Sequence, residues 1–217
     1  MKFILFILFL SVSLVGYAEC KPGGDCCMGC ILEGRIPPEN HRFPTFSIAL
    51  ELIEERNLQT IVETGTSRYG DENCLWDGCS TLIFADCAKH IGGIVYSVDI
   101  DGNALEKCRC ALDEEREFVS LVKADSVEFL RGFNQPIDFL YLDSYDFEIL
   151  NPRPSQEHHL KEVMAAEPWL TENAVIMIDD CALPHGGKGK LVIQYLQKQG
   201  WKILENNYQV ILVRGCN

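Results

Sequence analysis

The chain alternates short, continuously apolar runs with longer stretches in which apolar residues recur every three or four positions. Continuous runs of about four to eight residues are typical of buried strands, and the longer spacing is typical of helices with one buried face. The runs predict strands at Thr60–Glu63, Ile94–Val98, Phe118–Val122, Ile137–Leu142, Ala174–Ile178, Trp201–Leu204 and Gln209–Val213. The helical spacing predicts helices near 45–57, 80–91, 101–112, 125–131, 155–167 and 189–199, with Thr45 capping the first and Ser155 the fifth.

The order of these elements indicates the fold class. Buried strands that alternate with helices predict a mainly parallel sheet covered on both faces, in three layers. The last two predicted strands are joined by a few residues around Asn206–Asn207, which is too short for a parallel crossover. We therefore expect an α/β, Rossmann-like fold with a seven-stranded, mainly parallel sheet and an antiparallel C-terminal hairpin.

Residues 1–18 have the pattern of an export signal, in which Lys2 precedes an apolar run and small residues stand before a cleavage site at Ala18. The run is shorter than the about 20 residues of a membrane span, so no stable membrane insertion is expected after cleavage. The mature chain is expected to be secreted, periplasmic or lumenal. The alternative is a membrane anchor formed by residues 3–17.

Residues 19–43, rich in Cys, Gly and Pro, predict an irregular lead-in to a single domain at 44–217. The eleven cysteines of an exported chain favour disulfides over a metal knuckle or free thiols. Cys87, on an apolar helix face, is the best candidate for a plain core thiol. The net charge of −13 makes nucleic acid a poor candidate partner.

The first predicted strand ends in a turn with two glycines, in the segment IVETGTSRYG. The dinucleotide fingerprint GxGxxG does not match, because four residues separate Gly65 from Gly70. A triphosphate loop would carry Gly-Lys-Ser/Thr at its end, whereas two acidic residues follow Gly70 and would repel a polyphosphate. The turn is therefore expected to approach a nucleotide-like ligand without a phosphate chain.

One acidic residue stands at the end of each of the first three predicted strands, and these ends meet at one edge of a parallel sheet. Glu63 precedes the glycine turn, where it would meet an ammonium group directly or through water. Asp99 is placed to accept both ribose hydroxyls, and Asp125 to lie near an adenine edge. A nucleoside with a cationic amino-acid tail satisfies all three, which describes S-adenosylmethionine. Each acid taken alone is also explained as a helix cap or loop carboxylate.

In this order and spacing, VETGTSRYG, VYSVDID, VKADSVEFL, IDFLYLDSYD and AVIMIDD resemble the successive motifs of class I S-adenosylmethionine-dependent methyltransferases, over roughly residues 58–214. The resemblance implies the seven-stranded fold of that family and a site for its cofactor. The implied cofactor-binding residues are Glu63, Gly65, Thr66, Ser67, Gly70, Ser80, Thr81, Asp99, Ile100, Asp125, Ser126 and Asp143. The chain departs from the pattern by an insertion at residues 71–79. There Cys74 and Cys79 are expected to staple the loop, and the alternative is that Trp76 covers the cofactor.

Asp143 ends the fourth predicted strand, and Asp179 and Asp180 end the fifth, so we expect these carboxylates to lie close together. Hard oxygen ligands suit Mg²⁺. The arrangement is similar to metal-dependent O-methyltransferases that act on catechols and sugars, which implies these three residues as ligands of a cation that lowers the pKa of the acceptor hydroxyl. The alternative is that Asp143 only contacts the cofactor while the other two begin a loop.

Asp143, His158 and Lys188 are the candidate catalytic residues. His158, in PSQEHHLKE, is expected to act as general base because imidazole titrates near neutral pH, whereas the spacing of His159 places it on the apolar face. Lys188, in the glycine loop HGGKGK, is expected to reach the substrate, unless this loop acts as a lid.

The leading interpretation is an S-adenosylmethionine-dependent O-methyltransferase that acts on a small molecule or sugar with the help of a divalent cation. A homodimer is a further expectation. The export signal conflicts with a cofactor made in the cytosol, which keeps open an exported, non-catalytic binding or structural protein on the same scaffold. An oxidoreductase or hydroxylase on this fold is a third alternative, and the failed GxGxxG match speaks against nicotinamide.

Overall fold

The computed structural model describes residues 30–215, so the expected export signal, the cysteines before residue 30 and Cys216 lie outside the described residues. The strands are β1 (Thr60–Thr64), β2 (Ile94–Asp99), β3 (Val119–Lys123), β4 (Ile137–Leu142), β5 (Leu170–Ile178), β6 (Trp201–Asn206) and β7 (Val210–Arg214). The α-helices are α1 (Phe43–Glu55), α2 (Cys74–Asp77), α3 (Ser80–Ile91), α4 (Gly102–Ala111), α5 (Ser126–Arg131), α6 (Arg153–Ala166) and α7 (Lys190–Lys198). Within residues 30–215, no helix has the length and apolar character needed to cross a membrane.

The strands form a single sheet in the order β3-β2-β1-β4-β5-β7-β6. Strands β1 to β5 pair in parallel, and β7 runs antiparallel to both of its neighbours. This arrangement confirms the predicted fold class, including the C-terminal hairpin. The chain reverses its direction of winding between β1 and β4, and open parallel sheets bind ligands beyond the strand ends at such a switch point.

Both faces of the sheet are covered, as the continuous apolar runs predict. Along β4, Phe139 and Tyr141 are buried against α1 and α3, while Leu140 and Leu142 are buried against α6 and α7. Full burial of such a side chain contributes about 1.5–3 kcal/mol. Residues of alternating orientation on one strand therefore belong to two separate cores, which hold the strand ends in fixed register.

The described part of the predicted lead-in contributes to the domain core. Ile31, Leu32 and Ile36 lie in the same apolar cluster as α1 and α3, with at most 5% of each side chain exposed. The turns that carry these residues are thereby fixed to one face of the sheet. They deliver Arg42, the residue before α1, to the carboxyl ends of the strands.

The two predicted helix caps are wrong. Thr45 lies inside α1, where its hydroxyl donates to the carbonyl of Arg42 at 3.0 Å. Ser155 lies inside α6, where its hydroxyl donates to the carbonyl of Tyr145 at 3.0 Å. Each helix begins two residues earlier and has a proline in its first turn, where the missing N–H removes no helical hydrogen bond.

Within residues 30–215, the expected staple and the expected core thiol are both found, whereas Cys108, Cys110 and Cys181 are also free thiols. Cys74 and Cys79 form a disulfide that closes the loop before α3. Cys87 is a free, buried thiol on α3, and burial raises the pKa of this thiol to about 12. A thiol with such a pKa is protonated at neutral pH, which fits an inert core residue.

Candidate active site

The glycine turn after β1 lies against the end of β4. The N–H of Gly65 donates to the carbonyl of Val98 at 2.8 Å, and the φ of Gly65 is +86°. A side chain here would collide with the backbone of Asp143. Glycine is therefore required both by the left-handed conformation and by the close approach of the two strand ends.

Glu63 lies behind this turn and is fully buried. Its carboxylate accepts hydrogen bonds from the hydroxyls of Ser80, Thr81 and Ser97, the last two at 2.6 Å. Burial raises the pKa of Glu63 to about 7 in spite of these donors. Glu63 thus joins β1 to β2 and α3, and it does not line either of the two cavities described below.

The turn and the start of α3 hold each other through a reciprocal pair of hydrogen bonds. The N–H of Ser67 donates to the hydroxyl of Thr81 at 2.9 Å, and the N–H of Thr81 donates to the hydroxyl of Ser67 at 3.2 Å. Gly70, in contrast, packs against α4, where an added Cβ would lie 3.0 Å from the side chain of Ala111. The turn backbone is therefore rigid at Ser67, and Gly70 lies outside the cavity walls.

Asp99, at the end of β2, is held by two backbone donors. Its carboxylate accepts from the N–H of Thr66 at 3.0 Å and from the N–H of Asp101 at 2.8 Å. Each oxygen takes one of these bonds, so the carboxylate plane is fixed and a second lone pair on each oxygen is available to a ligand. Asp99 lines both cavities at the strand ends.

The first cavity has a volume of about 270 Å³ and lies beyond β2, β3 and β4. Asp125 caps α5 by accepting from the N–H of Glu128 at 3.0 Å, and it also lines this cavity. Ile100 is 72% exposed, so an apolar surface faces the open space. The lining residues are Gly65, Val98, Asp99, Ile100, Ala124, Asp125, Ser126, Ser144, Tyr145 and His158.

His158 belongs to the first cavity, beside a buried carboxylate. Its Nε2 lies 3.0 Å from the hydroxyl of Ser126 and 3.4 Å from Glu162, and the bond to Glu162 raises the pKa of His158. Glu162 also accepts from the hydroxyl of Ser144 at 2.6 Å. His159 faces the interior, as predicted, and burial lowers its pKa to about 4.

The second cavity, of about 330 Å³, lies beyond β1, β4 and β5. It shares Gly65, Asp99 and Ser144 with the first, so the two cavities adjoin at the switch point of the sheet. The remaining lining residues are Arg42, Thr66, Ser67, Arg68, Trp76, Asp77, Ser80, Asp143, Asp146, Asp179, Asp180, Leu183, Lys188 and Tyr208.

Asp143, Asp179 and Asp180 come together in this second cavity and are called the acid cluster below. One carboxylate oxygen from each lies within 4.8 Å of the others. The ladder of the sheet causes this, because the N–H of Asp143 donates to Thr64 at 2.9 Å and the N–H of Asp179 donates to Leu142 at 3.1 Å. Consecutive parallel strands thus end at one level and project their acids into one space.

Two buried cations face the acid cluster. Arg42, 5% exposed, donates to Asp179 through Nε at 3.1 Å and Nη2 at 2.9 Å, and Nη2 lies 3.4 Å from Asp180. Lys188, 2% exposed, contacts Asp143 and lies 3.1 Å from Asp180. Burial alone would lower the pKa of Lys188, but the surrounding carboxylates outweigh it and raise the pKa. Both groups are therefore charged at neutral pH.

These cations bear on the Mg²⁺ expected from the resemblance. The carboxylate oxygens have the right chemistry, but Lys188 bridges two of the three acids and Arg42 holds the third in a two-pronged contact. At an effective dielectric constant near 20, like unit charges 4 Å apart repel by roughly 4 kcal/mol, and a divalent cation doubles this. The residues as arranged do not fit a metal ion between Asp143 and Asp180 unless Lys188 leaves.

Residues 75–181 match a family model described as a methyltransferase domain. A comparison with curated proteins finds no significant match. The match includes α3, strands β2 to β5 and all three residues of the acid cluster. It begins within the insertion and leaves out the glycine turn and Lys188.

Solved structures with a similar fold include three methyltransferases. The SAH-bound methyltransferase PaMTH1 from Podospora anserina superposes with a TM-score of 0.57, at 11% identity over 78% of this chain and 77% of that one. An O-methyltransferase from Bacillus cereus in complex with SAH gives 0.56, at 14% identity over 84% of both chains. A precorrin-6y C5,15-methyltransferase from Geobacter metallireducens gives 0.55, at 14% identity over 78% of this chain and 87% of that one. At these identities the likeness concerns the fold.

Proposed function

We propose that the chain is a class I S-adenosylmethionine-dependent methyltransferase, as the match of residues 75–181 to a methyltransferase domain supports, and that it transfers the methyl group to an oxygen atom of a small molecule or sugar. One observation carries this proposal: two adjoining cavities share Gly65, Asp99 and Ser144 at the switch point of the sheet. One cavity takes the nucleoside and the other takes the acceptor. The sulfonium then lies at their junction, beside the glycine turn.

The first cavity suits adenosine. Asp99 is rigidly held and has free lone pairs for both ribose hydroxyls. Ile100 offers an apolar surface to the base, and Asp125 and Ser126 offer polar groups to its edge. The described lining carries the carboxylates of Asp99 and Asp125 and neither lysine nor arginine, which supports a nucleoside without phosphates.

The second cavity suits a hydroxylated acceptor. Methyl transfer from a sulfonium needs alignment of oxygen, methyl carbon and sulfur, together with removal of the hydroxyl proton. We assign proton removal to Asp143, which lines this cavity next to Gly65. Burial raises the pKa of Asp143, and the charge of Lys188 opposes this rise without cancelling it. A carboxylate with a raised pKa is the better proton acceptor near neutral pH.

The acidic lining disfavours RNA or DNA as acceptor, because a phosphate backbone would meet the carboxylates of the acid cluster, Asp77 and Asp146. Exposed Trp76 at the rim offers a flat apolar surface for a sugar or aromatic ring. His158, the base expected from the sequence, lies in the nucleoside cavity instead. It is kept as a ligand of the cofactor in this proposal.

The test is transfer of an isotopically labelled methyl group from S-adenosylmethionine to panels of hydroxylated and amine-bearing small molecules. Label in the hydroxylated products, lost with Asp143→Asn while the cofactor still binds, supports the proposal. If the label appears only in the amine products, oxygen is not the methyl acceptor and that part of the proposal is wrong. If the folded protein binds the cofactor but labels no compound in either panel, the result favours the alternative of a non-catalytic scaffold.

We also propose that the chain is exported. The disulfide between Cys74 and Cys79 supports this, because such bonds persist mainly in oxidising compartments. Fusion of residues 1–18 to a reporter enzyme tests the signal directly. Retention of the reporter inside the cell contradicts export.

A further inference from the structure

The acid cluster already holds two cations that belong to the chain. Three carboxylates face the guanidinium of Arg42 and the ammonium of Lys188. These two cations thereby offset much of the negative charge that would attract a metal ion. An incoming divalent cation would have to expel Lys188 or lie directly beside it.

Lys188 is fixed by its backbone as well as by its ion pairs. An added Cβ on Gly187 would lie 1.8 Å from the carbonyl oxygen of Asp180, and one on Gly189 would lie 2.5 Å from the sulfur of Cys181. The loop on both sides of Lys188 therefore packs directly on the chain that follows β5. Its sequence, GKG, is required for this approach.

A second contact holds the same loop from α6. The side-chain amide of Gln156, 3% exposed, donates to the carbonyl of Gly187 at 3.0 Å and to that of His185 at 3.2 Å. The loop is thus tied down immediately before Lys188. The ammonium points at Asp143 and Asp180 because the backbone on both sides of it has little freedom.

We propose that the ammonium of Lys188 takes the place of a divalent cation between Asp143 and Asp180, so that the chain transfers methyl groups without a metal ion. Lys188 is a positioning residue in this scheme. It keeps the two carboxylates apart and oriented toward the acceptor oxygen. The role of the second cavity in acceptor binding rests on the proposed function, whereas the claim about the cation is tested without any acceptor.

The experiment titrates Mg²⁺ into the whole chain by calorimetry and Tb³⁺ by luminescence, with Trp76 as the sensitiser because it lines the same cavity. The wild-type chain is expected to show no saturable binding. Lys188→Met is expected to gain saturable binding of both ions, at least about tenfold tighter than any residual binding by the wild type, because the acid cluster loses its bridging charge. The matched control is Lys190→Met, an exposed lysine two residues further on, which should leave binding unchanged.

A gain of ion binding separates this role from a merely structural one, which would lower stability without creating an ion site. The gained binding should be lost again when Asp180→Asn is added to Lys188→Met. Saturable Mg²⁺ binding to the wild-type chain that Asp180→Asn abolishes would overturn the proposal. A folded Lys188→Met chain without any gain would do the same.

If Lys188→Met does not fold, the proposal is tested on the wild-type chain with a chelator. Prolonged treatment with EDTA should leave both S-adenosylhomocysteine affinity and any methyl transfer unchanged, and added Mg²⁺ should not raise them. Methyl transfer or S-adenosylhomocysteine affinity that is lost on chelation and recovers when Mg²⁺ is added would contradict the proposal. A chain that binds neither the ion nor S-adenosylhomocysteine would defeat the proposed function and leave the cation claim standing.

Discussion

A Cβ placed on Gly65 would lie 2.6 Å from the backbone carbonyl oxygen of Asp143. The ends of β1 and β4 therefore approach each other more closely than any side chain allows. Gly65→Ala should force them apart and disturb both cavities. We expect S-adenosylhomocysteine affinity to fall at least about tenfold and unfolding to become easier by more than the ~1 kcal/mol that a left-handed alanine costs.

Gly92 provides the matched control for that substitution. Its φ is +70°, but nothing lies within 4 Å of an added Cβ. Gly92→Ala should lower stability only by the cost of a left-handed alanine, and it should leave ligand affinity unchanged. Equal effects of both substitutions in calorimetric binding and thermal unfolding would show that the contact with Asp143 does not matter.

Glu63 predicts a specific dependence of stability on pH. Its pKa is about 7 in the folded chain, above the ordinary value of 4.5, so the folded state favours the protonated form. The stability from this group is fully present below pH 4.5 and is lost as the pH rises through 7. The loss is on the order of 3 kcal/mol.

Glu63→Gln should remove this component, because the amide does not ionise. The measurement is the difference in unfolding free energy between the two chains across the pH range from about 4 to 8. Wild type should lose stability relative to the variant as the pH rises. A constant difference would mean that Glu63 titrates with an ordinary pKa.

The disulfide of Cys74 and Cys79 closes the loop from which α3 begins, so its removal should loosen Ser80 and Thr81. We expect the double substitution to alanine to lower stability by about 2 kcal/mol and to weaken S-adenosylhomocysteine binding. Cys110→Ala, which removes an exposed free thiol, is the control. Unchanged binding in the double variant would show that the disulfide does not support the cofactor site.

The proposed function makes His158 a ligand of the cofactor, whereas the sequence predicts it as a general base. Its placement beside Ser126 in the first cavity predicts that His158→Asn weakens S-adenosylhomocysteine several-fold and changes kcat little. Calorimetry and steady-state kinetics separate the two roles. A large fall in kcat with unchanged cofactor affinity would favour the base instead.

The sequence predicted the acid cluster because parallel strands end at one level, and Asp143, Asp179 and Asp180 follow consecutive buried runs. The same argument predicted that Asp99 lies at this edge of the sheet, where it lines both cavities. It failed for Glu63, which was expected to face the ligand. Three hydroxyls from α3 and β2 take its oxygens instead, and local spacing gives no signal for that.

Arg42 was missed for a different reason. It contacts Asp179 across 137 positions of sequence and comes from a segment without periodicity. Glu162, which joins Ser144 to His158 from inside α6, was missed because a glutamate in a helix is usually solvated. A charged residue bordered by buried apolar positions is the signal that would mark such groups, and it needs the tertiary contacts to be recognised.

The most direct test is calorimetric titration of S-adenosylhomocysteine into the wild-type chain, Asp99→Ala and Asp101→Ala. Asp101 caps α4 next to the site, so its loss costs about 1 kcal/mol of stability without removing a cavity wall. We predict binding in the micromolar range for the wild type and Asp101→Ala, weakened roughly a hundredfold in Asp99→Ala because two hydrogen bonds to a charged group are lost. A folded wild-type chain that does not bind, or binding that Asp99→Ala leaves intact, would contradict the cofactor site.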